Sequence, residues 1–249
     1  MLTAVLIWLS LLVINPVWAQ ESEFFDYNRT LEVYNAVRRV YLDRRASYNN
    51  NPTLANLENL LEPTVELMYN RNQVMIAYIV WMEALIVRHP FDNEPLAQEF
   101  LVRSQGFRDE FVNHGEGLIS VVDTVSWYRA DDNYGDIKRR FDAFAFQVFA
   151  QIFDGQLRRN LSTLEYLHVT QHDAIIAQAP NQVMAATFRN NLQSIERELG
   201  EMQDAHEELF TNLNNIGSRA AFDDYMLQAN LILTQLDRNA RLFDSLWQR

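Results

Sequence analysis

The most regular pattern of apolar residues lies in the last third of the chain, after the corner at Pro180. Apolar positions there recur at alternating spacings of four and three residues over four heptads. This repeat predicts a coiled-coil seam, a stripe along one helix that packs against a neighbouring helix. Gly217 ends the pattern, and Ser218 can cap the helix that follows. The seam consists of Phe188, Leu192, Ile195, Leu199, Met202, His206, Leu209, Leu213 and Ile216.

A second apolar stripe at helical spacing follows Ser218 and predicts the last helix of the chain. Asp223 and Asp224 lie near the start of this helix, where the helix dipole favours negative charge. The short connection makes the last helix an antiparallel neighbour of the seam helix. Its stripe consists of Phe222, Tyr225, Ala229, Ile232, Leu236, Phe243 and Trp247.

The first half of the chain predicts two further helices before residue 63. Residues 26–48 form the first, because Leu31, Tyr34, Val37, Tyr41 and Leu42 fall near one face, and residues 49–52 end it. Thr53 can cap the second helix. Pro63 is expected to kink or restart that helix, because proline lacks a backbone donor.

The segment from Val74 to Val87 is the most apolar after the N-terminus. A helix that is apolar on all sides is buried in a protein core or in lipid. Fourteen residues that include Glu83 are too few to span a bilayer. We therefore predict a central core helix, and the alternative is docking against a membrane or a membrane-protein partner. Glu83 is expected to pair with an arginine, and the alternative is a functional carboxyl with a raised pKa.

The middle of the chain is predicted to contain two long helices joined by a polar turn. After a loop at residues 89–95, a helix runs from about 94 to 128, with a break near Gly115 and Gly117. Residues 130–135 are polar and predict the turn. A helix over residues 136–177 follows, with an interruption expected at Asp154-Gly155. Its aromatic residues are expected in the core: Phe141, Phe144, Phe146, Phe149 and Phe153.

Together these segments predict an all-α protein. The expected architecture is an antiparallel bundle of about five to seven helices, with coiled-coil-like packing in the C-terminal half. The chain has only 7 Gly and 6 Pro, which favours few turns and long helices. Residues 20–249 are expected to form one domain, and the alternative is a division near residues 130–135.

Residues 1–19 have the outline of a cleavable secretory signal peptide. An apolar run that starts at Leu2 is followed by Val17 and Ala19, which occupy the −3 and −1 positions of a signal-peptidase site. The rival interpretation is an uncleaved anchor, but the run is shorter than the roughly 20 residues that a bilayer requires. We expect a periplasmic or secreted protein, with the bacterial periplasm ahead of a eukaryotic secretory route.

Charge and cysteine content exclude several classes of function. The net charge of −12 disfavours contact with nucleic-acid phosphates and with anionic lipids. Membrane contact is expected only through a partner or through residues 74–87. The absence of cysteine excludes disulfides, thiolate metal sites and thiol catalysis. The chain must therefore be stabilised by packing.

Histidines supply the main candidate for chemistry. Glu165, His168 and His172 share one helix face, and Glu-x-x-His from helix faces is how di-iron carboxylate bundles bind metal. Those proteins use the motif twice, whereas it occurs once here. If the chain folds back at Pro180, His168 lies opposite residue 192, and His206 lies on the order of 20 Å away. The main expectation is that these histidines, like His114, are hydrogen-bonded core or surface residues.

No phosphate-binding loop, nucleophile elbow or zinc-protease motif occurs in the chain. We therefore expect a non-enzymatic interaction, accessory or scaffold subunit without a cofactor, which binds a protein partner or associates with itself. The alternative is a periplasmic bundle that binds a metal or a small ligand, with Glu165, His168 and His172 as its candidate metal ligands.

Overall fold

A computed structural model describes residues 22–88 and 94–247, and over these ranges it contains six α-helices and no strand. The all-α prediction is confirmed, and six helices fall within the predicted range. The predicted signal peptide at residues 1–19 and most of the loop at residues 89–95 lie outside the described ranges. The helices are α1 (Ser22–Asn50), α2 (Leu54–Arg88), α3 (Glu94–Gly117), α4 (Thr124–Ala177), α5 (Gln182–Thr211) and α6 (Arg219–Trp247).

The contacts divide the chain into two compact units, and the division falls inside α4 between Asp142 and Ala143. We call residues 22–142 the N-terminal unit and residues 143–247 the C-terminal unit. The first contains α1, α2, α3 and the start of α4. The second contains the rest of α4 together with α5 and α6.

The second half of α2 forms the centre of the N-terminal unit. The prediction of a core helix from Val74 to Val87 is confirmed, although Val87 itself is exposed. α2 contacts both α1 and α3. α1 differs from α2, because none of its side chains is fully buried. The buried apolar side chains of α2 are Leu60, Met68, Met75, Ile79, Trp81, Met82, Leu85 and Ile86.

The predicted restart at Pro63 is wrong, because α2 continues through this residue. Leu60 and Thr64 on either side of it are buried, and the Thr64 hydroxyl donates a hydrogen bond to the Leu60 carbonyl at 2.7 Å. Burial of the flanking residues offsets the one backbone hydrogen bond that proline removes. The predicted cap is confirmed, since the Asn56 amide donates to Thr53 Oγ1 at 3.3 Å.

The predicted turn at residues 130–135 is also wrong. α3 ends at Gly117, where the predicted break lies, and a short 3₁₀ turn covers Leu118–Ser120. α4 then begins at Thr124 and runs through the polar segment. Tyr134 and Ile137 are buried in this part of α4, so one apolar stripe continues through the polar residues. The start of α4 is fixed by Asp123, whose carboxylate accepts the Ser126 amide at 2.7 Å.

The C-terminal unit matches the seam prediction in burial but not in the end of the helix, because α5 ends at Thr211 rather than at Gly217 and a 3₁₀ turn covers Leu213–Asn215. All nine predicted seam residues are buried, as are most residues of the stripe on α6. Asn181 caps α5 by accepting the Met184 amide at 2.9 Å, and Ser218 caps α6 by accepting the Ala221 amide at 3.2 Å. The expected interruption at Asp154-Gly155 is wrong, since α4 is continuous there.

Candidate functional site

The three candidate metal ligands lie on α4 and have separate hydrogen-bond partners. The exposed Glu165 carboxylate accepts a hydrogen bond from the Gln203 side-chain amide at 3.0 Å. His168 is buried, and its Nε2 donates to the Leu192 carbonyl at 3.0 Å. His172 lies beside the exposed Asp173, with Nδ1 3.0 Å from the carboxylate.

This arrangement does not assemble a metal centre. The rings of His168 and His172 are 5.8 Å apart between centroids, but Nε2 of His168 is already committed to a carbonyl. Within residues 22–88 and 94–247, no group of three or more His, Asp or Glu side chains could hold a metal ion. The predicted register is confirmed, because His168 lies opposite residue 192.

The same register brings together a buried acid and a buried histidine at the other end of the seam. Fourteen residues before His168 is Asp154, and fourteen after Leu192 is His206. Nε2 of His206 is 2.8 Å from Oδ1 of Asp154, and both side chains are buried. Arg158 also donates to the Asp154 carboxylate, at 3.1 Å.

These contacts form a closed network that suits a structural role. Arg158 lies over the Phe210 ring, 4.9 Å from its centroid. The Tyr225 hydroxyl donates to the Ala150 carbonyl at 3.1 Å, and burial, with the nearby Asp154 charge, raises the Tyr225 pKa well above its ordinary value. The expectation that His206 hydrogen-bonds a neighbour is confirmed. A buried polar pair on facing seams can fix their register.

Sequence reasoning missed Asp154, because the Asp-Gly pair indicated a break in the helix. A usable signal was present. Asp154 lies three residues before Leu157, and the series continues through Leu161 and Leu164 with the alternating spacing of a seam. An acid inside such a stripe predicts a buried partner on the facing helix.

In the N-terminal unit, His114 joins α3 to α2 and α4. Its Nε2 donates a hydrogen bond to the Ala130 carbonyl at 2.8 Å. Its Nδ1 is 2.9 Å from the side-chain nitrogen of Asn72, and the Asn72 side chain is fully buried. Burial lowers the His114 pKa. The neutral ring therefore carries its proton on Nε2 and accepts from Asn72 at Nδ1.

Glu83 pairs with an arginine, as predicted. Its carboxylate accepts hydrogen bonds from Arg108 and from the Ser104 hydroxyl, each at 2.9 Å. The acid in the core helix is thus neutralised by α3, on which both partners lie. It is engaged in packing α3 against α2 rather than presented to a substrate.

A cleft with a volume of about 710 Å³ lies between the second half of α3 and the first turns of α4. Arg140 forms a two-pronged ion pair with Glu110 in its lining, with Nη1 to Oε1 at 3.1 Å. His114 also contributes to the lining. The other lining residues are Asn113, Gly117, Leu118, Ser120, Val121, Ser126, Arg129, Ala130, Asn133 and Ile137.

Exposed apolar side chains lie beside this cleft, on the connection between α3 and α4 and on the first turns of α4. Ile119 is 90% exposed, Val122 72%, Val125 65% and Tyr128 64%. The connection itself is anchored by Leu118 and Val121, which are buried against Met68. We call the four exposed residues the apolar corner. A fixed backbone therefore presents these side chains outward.

Comparison with protein-family models, with curated proteins and with solved structures finds no match for this chain. Over the described ranges, no helix combines the length and apolarity that a bilayer crossing requires.

Proposed function

We propose that this protein is a non-enzymatic, secreted or periplasmic subunit that binds a protein partner through the apolar corner and the adjoining cleft. The observation that carries the proposal is the exposure of Ile119, Val122, Val125 and Tyr128 within ten residues. Apolar area costs about 25 cal/mol per Å² when it faces water. Apolar clusters rimmed by polar groups commonly mark protein interfaces.

The state of the buried polar groups supports a binding role over a catalytic one. His206 and Asp154 bind each other, His114 binds Asn72 and the backbone, and Glu83 is paired with Arg108. Groups that are buried and engaged in this way contribute to packing between the helices.

The cleft complements the apolar corner with polar groups. Asn113 and Asn133 line it from α3 and α4, and their side-chain amides can both donate to and accept from a peptide backbone. Arg129 adds positive charge to the same lining, whereas Arg140 is balanced by Glu110. An interface that combines an apolar centre with a polar rim is the usual arrangement at protein–protein contacts.

Site-specific photo-crosslinking in the cells that express the protein naturally would test this proposal. A crosslinking amino acid replaces Ile119 or Val122 in the full chain. We expect a discrete crosslinked product that mass spectrometry identifies as one partner or as a second copy of the chain. Substituting Ile119→Asp should then weaken binding of the purified partner by about tenfold or more, because it places a charge at the centre of the contact.

Val169 and Val183 provide matched controls, since both are highly exposed valines in the C-terminal unit. Crosslinker at these positions should give no such product. Equal products from all four positions, or none from Ile119 and Val122, would contradict the proposal. A stoichiometric small molecule retained in the cleft, seen by native mass spectrometry and lost in Asn133→Leu, would instead favour the ligand-binding alternative.

A further inference from the structure

The second half of α1 carries the densest cluster of positive charge in the chain. Arg38, Arg39, Arg44 and Arg45 fall within eight residues, and Asp43 is the one acid among them. All four arginines are exposed. This concentration contrasts with the net charge of −12 for the whole chain.

These arginines are not neutralised by the fold. Among the described residues, none of the four forms an ion pair, and the one side-chain contact in the cluster is from Arg39 Nε to the Asn35 carbonyl at 3.3 Å. Other arginines of the same unit are paired with acids, for example Arg71 with Asp131 and Arg108 with Glu83. The charge of the cluster is therefore available to a partner outside the chain.

Part of the cluster forms a stripe without carboxylates. Arg38, Leu42 and Arg45 are spaced four and three residues apart and share one side of the helix, with Arg39 beside them. Leu42 is 41% exposed, and Val40 on another side of the helix is 49% exposed. Because the exposed apolar side chains of this half are few and lie on different sides of the helix, a membrane contact here would depend mainly on the arginines.

We propose that this half of α1 docks on a bilayer surface that contains anionic phospholipid. Arginine can bind a phosphate oxygen pair through two parallel hydrogen bonds. Basic residues near an anionic bilayer each contribute about fivefold to the partition coefficient. Leu42 contacts the headgroup level beside them.

Two considerations decide between a bilayer and an acidic protein. Arg38, Arg39 and Arg45 project from one broad side of a convex helix over roughly 10 Å of its axis. Mobile lipid headgroups can rearrange around such a surface, whereas a protein would need a matching acidic groove. The acidic remainder of the chain opposes docking only weakly, because the Debye length is about 8 Å at physiological ionic strength.

Co-sedimentation of the purified full chain with lipid vesicles tests the proposal. The probes are vesicles of phosphatidylcholine alone and vesicles with roughly one third phosphatidylglycerol, a composition that creates a negative surface potential. We expect tighter binding to the anionic vesicles that weakens as salt is raised. The variant R38Q/R39Q/R45Q should lose on the order of 100-fold in this binding, with its circular dichroism spectrum unchanged.

The control variant R189Q/R219Q/R241Q has the same change in net charge at exposed arginines of the C-terminal unit, and it should keep wild-type binding. Equal binding of wild type to both vesicle types would overturn the proposal, as would an equal loss in the control variant. Retention on immobilised polyglutamate without binding to anionic vesicles would also overturn it, in favour of an acidic protein. Crosslinking at Ile119 reports separately on the apolar corner.

Discussion

Buried polar side chains determine which residues of this protein are sensitive to substitution. Asp154 is 2% exposed, and its carboxylate is shared by His206 and Arg158. A buried ion pair is not by itself strong evidence of stability, because desolvation offsets the attraction. Removal of one partner lowers the free energy of unfolding, because the other partner stays buried without its hydrogen bond or opposite charge.

We predict that Asp154→Ala lowers the free energy of unfolding by about 3 kcal/mol, because it leaves the His206 Nε2–H without an acceptor. Asp154→Asn keeps an acceptor oxygen and should cost about 1 kcal/mol. Urea denaturation followed by circular dichroism measures both. Asp173→Ala is the control, an exposed acid beside a histidine, and should change stability by less than about 0.5 kcal/mol. Equal losses in the Ala and Asn variants would contradict this role.

His114 should make the N-terminal unit less stable in acid. Burial lowers its pKa below the ordinary value of 6.5, so the unfolded chain binds a proton that the folded chain resists. The free energy of unfolding therefore falls as pH drops below about 6.5. In His114→Gln this contribution is absent, so the stability gap between wild type and variant should narrow between about pH 7.5 and about pH 5.5. Urea denaturation measures the free energy of unfolding of both proteins. A difference between wild type and variant that stays constant across this pH range would exclude a contribution from His114 protonation.

Individual contacts were predictable only where a helical register was available. The pairing of His168 with residue 192 follows from the corner at Pro180 and the rise per residue of a helix. A fold-back at the loop of residues 89–95 likewise places His114 opposite about residue 70. The spacing does not identify Asn72 as the partner, because an asparagine in an apolar stripe has no pattern that marks it as a hydrogen-bond donor to a histidine.

At the scale of helices, the seam of α5 was predictable because nine residues keep one spacing and all must be buried together. Helix ends were less predictable, because propensity competes with packing. Residues 130–135 are polar enough for a turn, but Tyr134 belongs to a buried stripe that keeps α4 helical. Pro63 is tolerated for the same reason, since Leu60 and Thr64 hold both sides of it in the core.

α1 is the helix whose role was least evident from sequence. Of the five residues predicted for one apolar face, Leu31, Tyr34, Val37 and Tyr41 are only partly buried and Leu42 is exposed. Phe24 and Tyr27 join the first turns of α1 to the core through Trp81. The arginines of the second half are exposed and can serve an external surface, which is the basis for the bilayer proposal.

At the scale of the whole molecule, composition established the class of protein but not the location of a site. The cleft and the apolar corner depend on where α3 ends. The break predicted near Gly115 and Gly117 coincides with that end, but the sequence prediction resumed the helix up to residue 128 and placed no exposed connection there. Exposed valines and tyrosines cannot be distinguished from buried ones until the surrounding helices are placed. The candidate interface is therefore a result of the structure.

The predicted secretion of the chain can be tested at its N-terminus. Val17 and Ala19 occupy the −3 and −1 positions of a signal-peptidase site, so the mature protein should begin at Gln20. We expect N-terminal sequencing of the protein from its natural source to show this end. Ala19→Lys should block processing, because the peptidase requires a small side chain at −1, whereas Gln20→Lys should be processed normally.

The location of protein that keeps residues 1–19 distinguishes a cleavable signal peptide from an uncleaved anchor. Exported protein that still begins at Met1 and sediments with membranes would indicate an uncleaved anchor, and this would place α1 next to a bilayer by covalent connection. Its arginines would then meet lipid at high effective concentration. Cleaved protein would have to reach a bilayer through the arginines alone, so the loss of binding in R38Q/R39Q/R45Q should be larger for the cleaved form than for an anchored one.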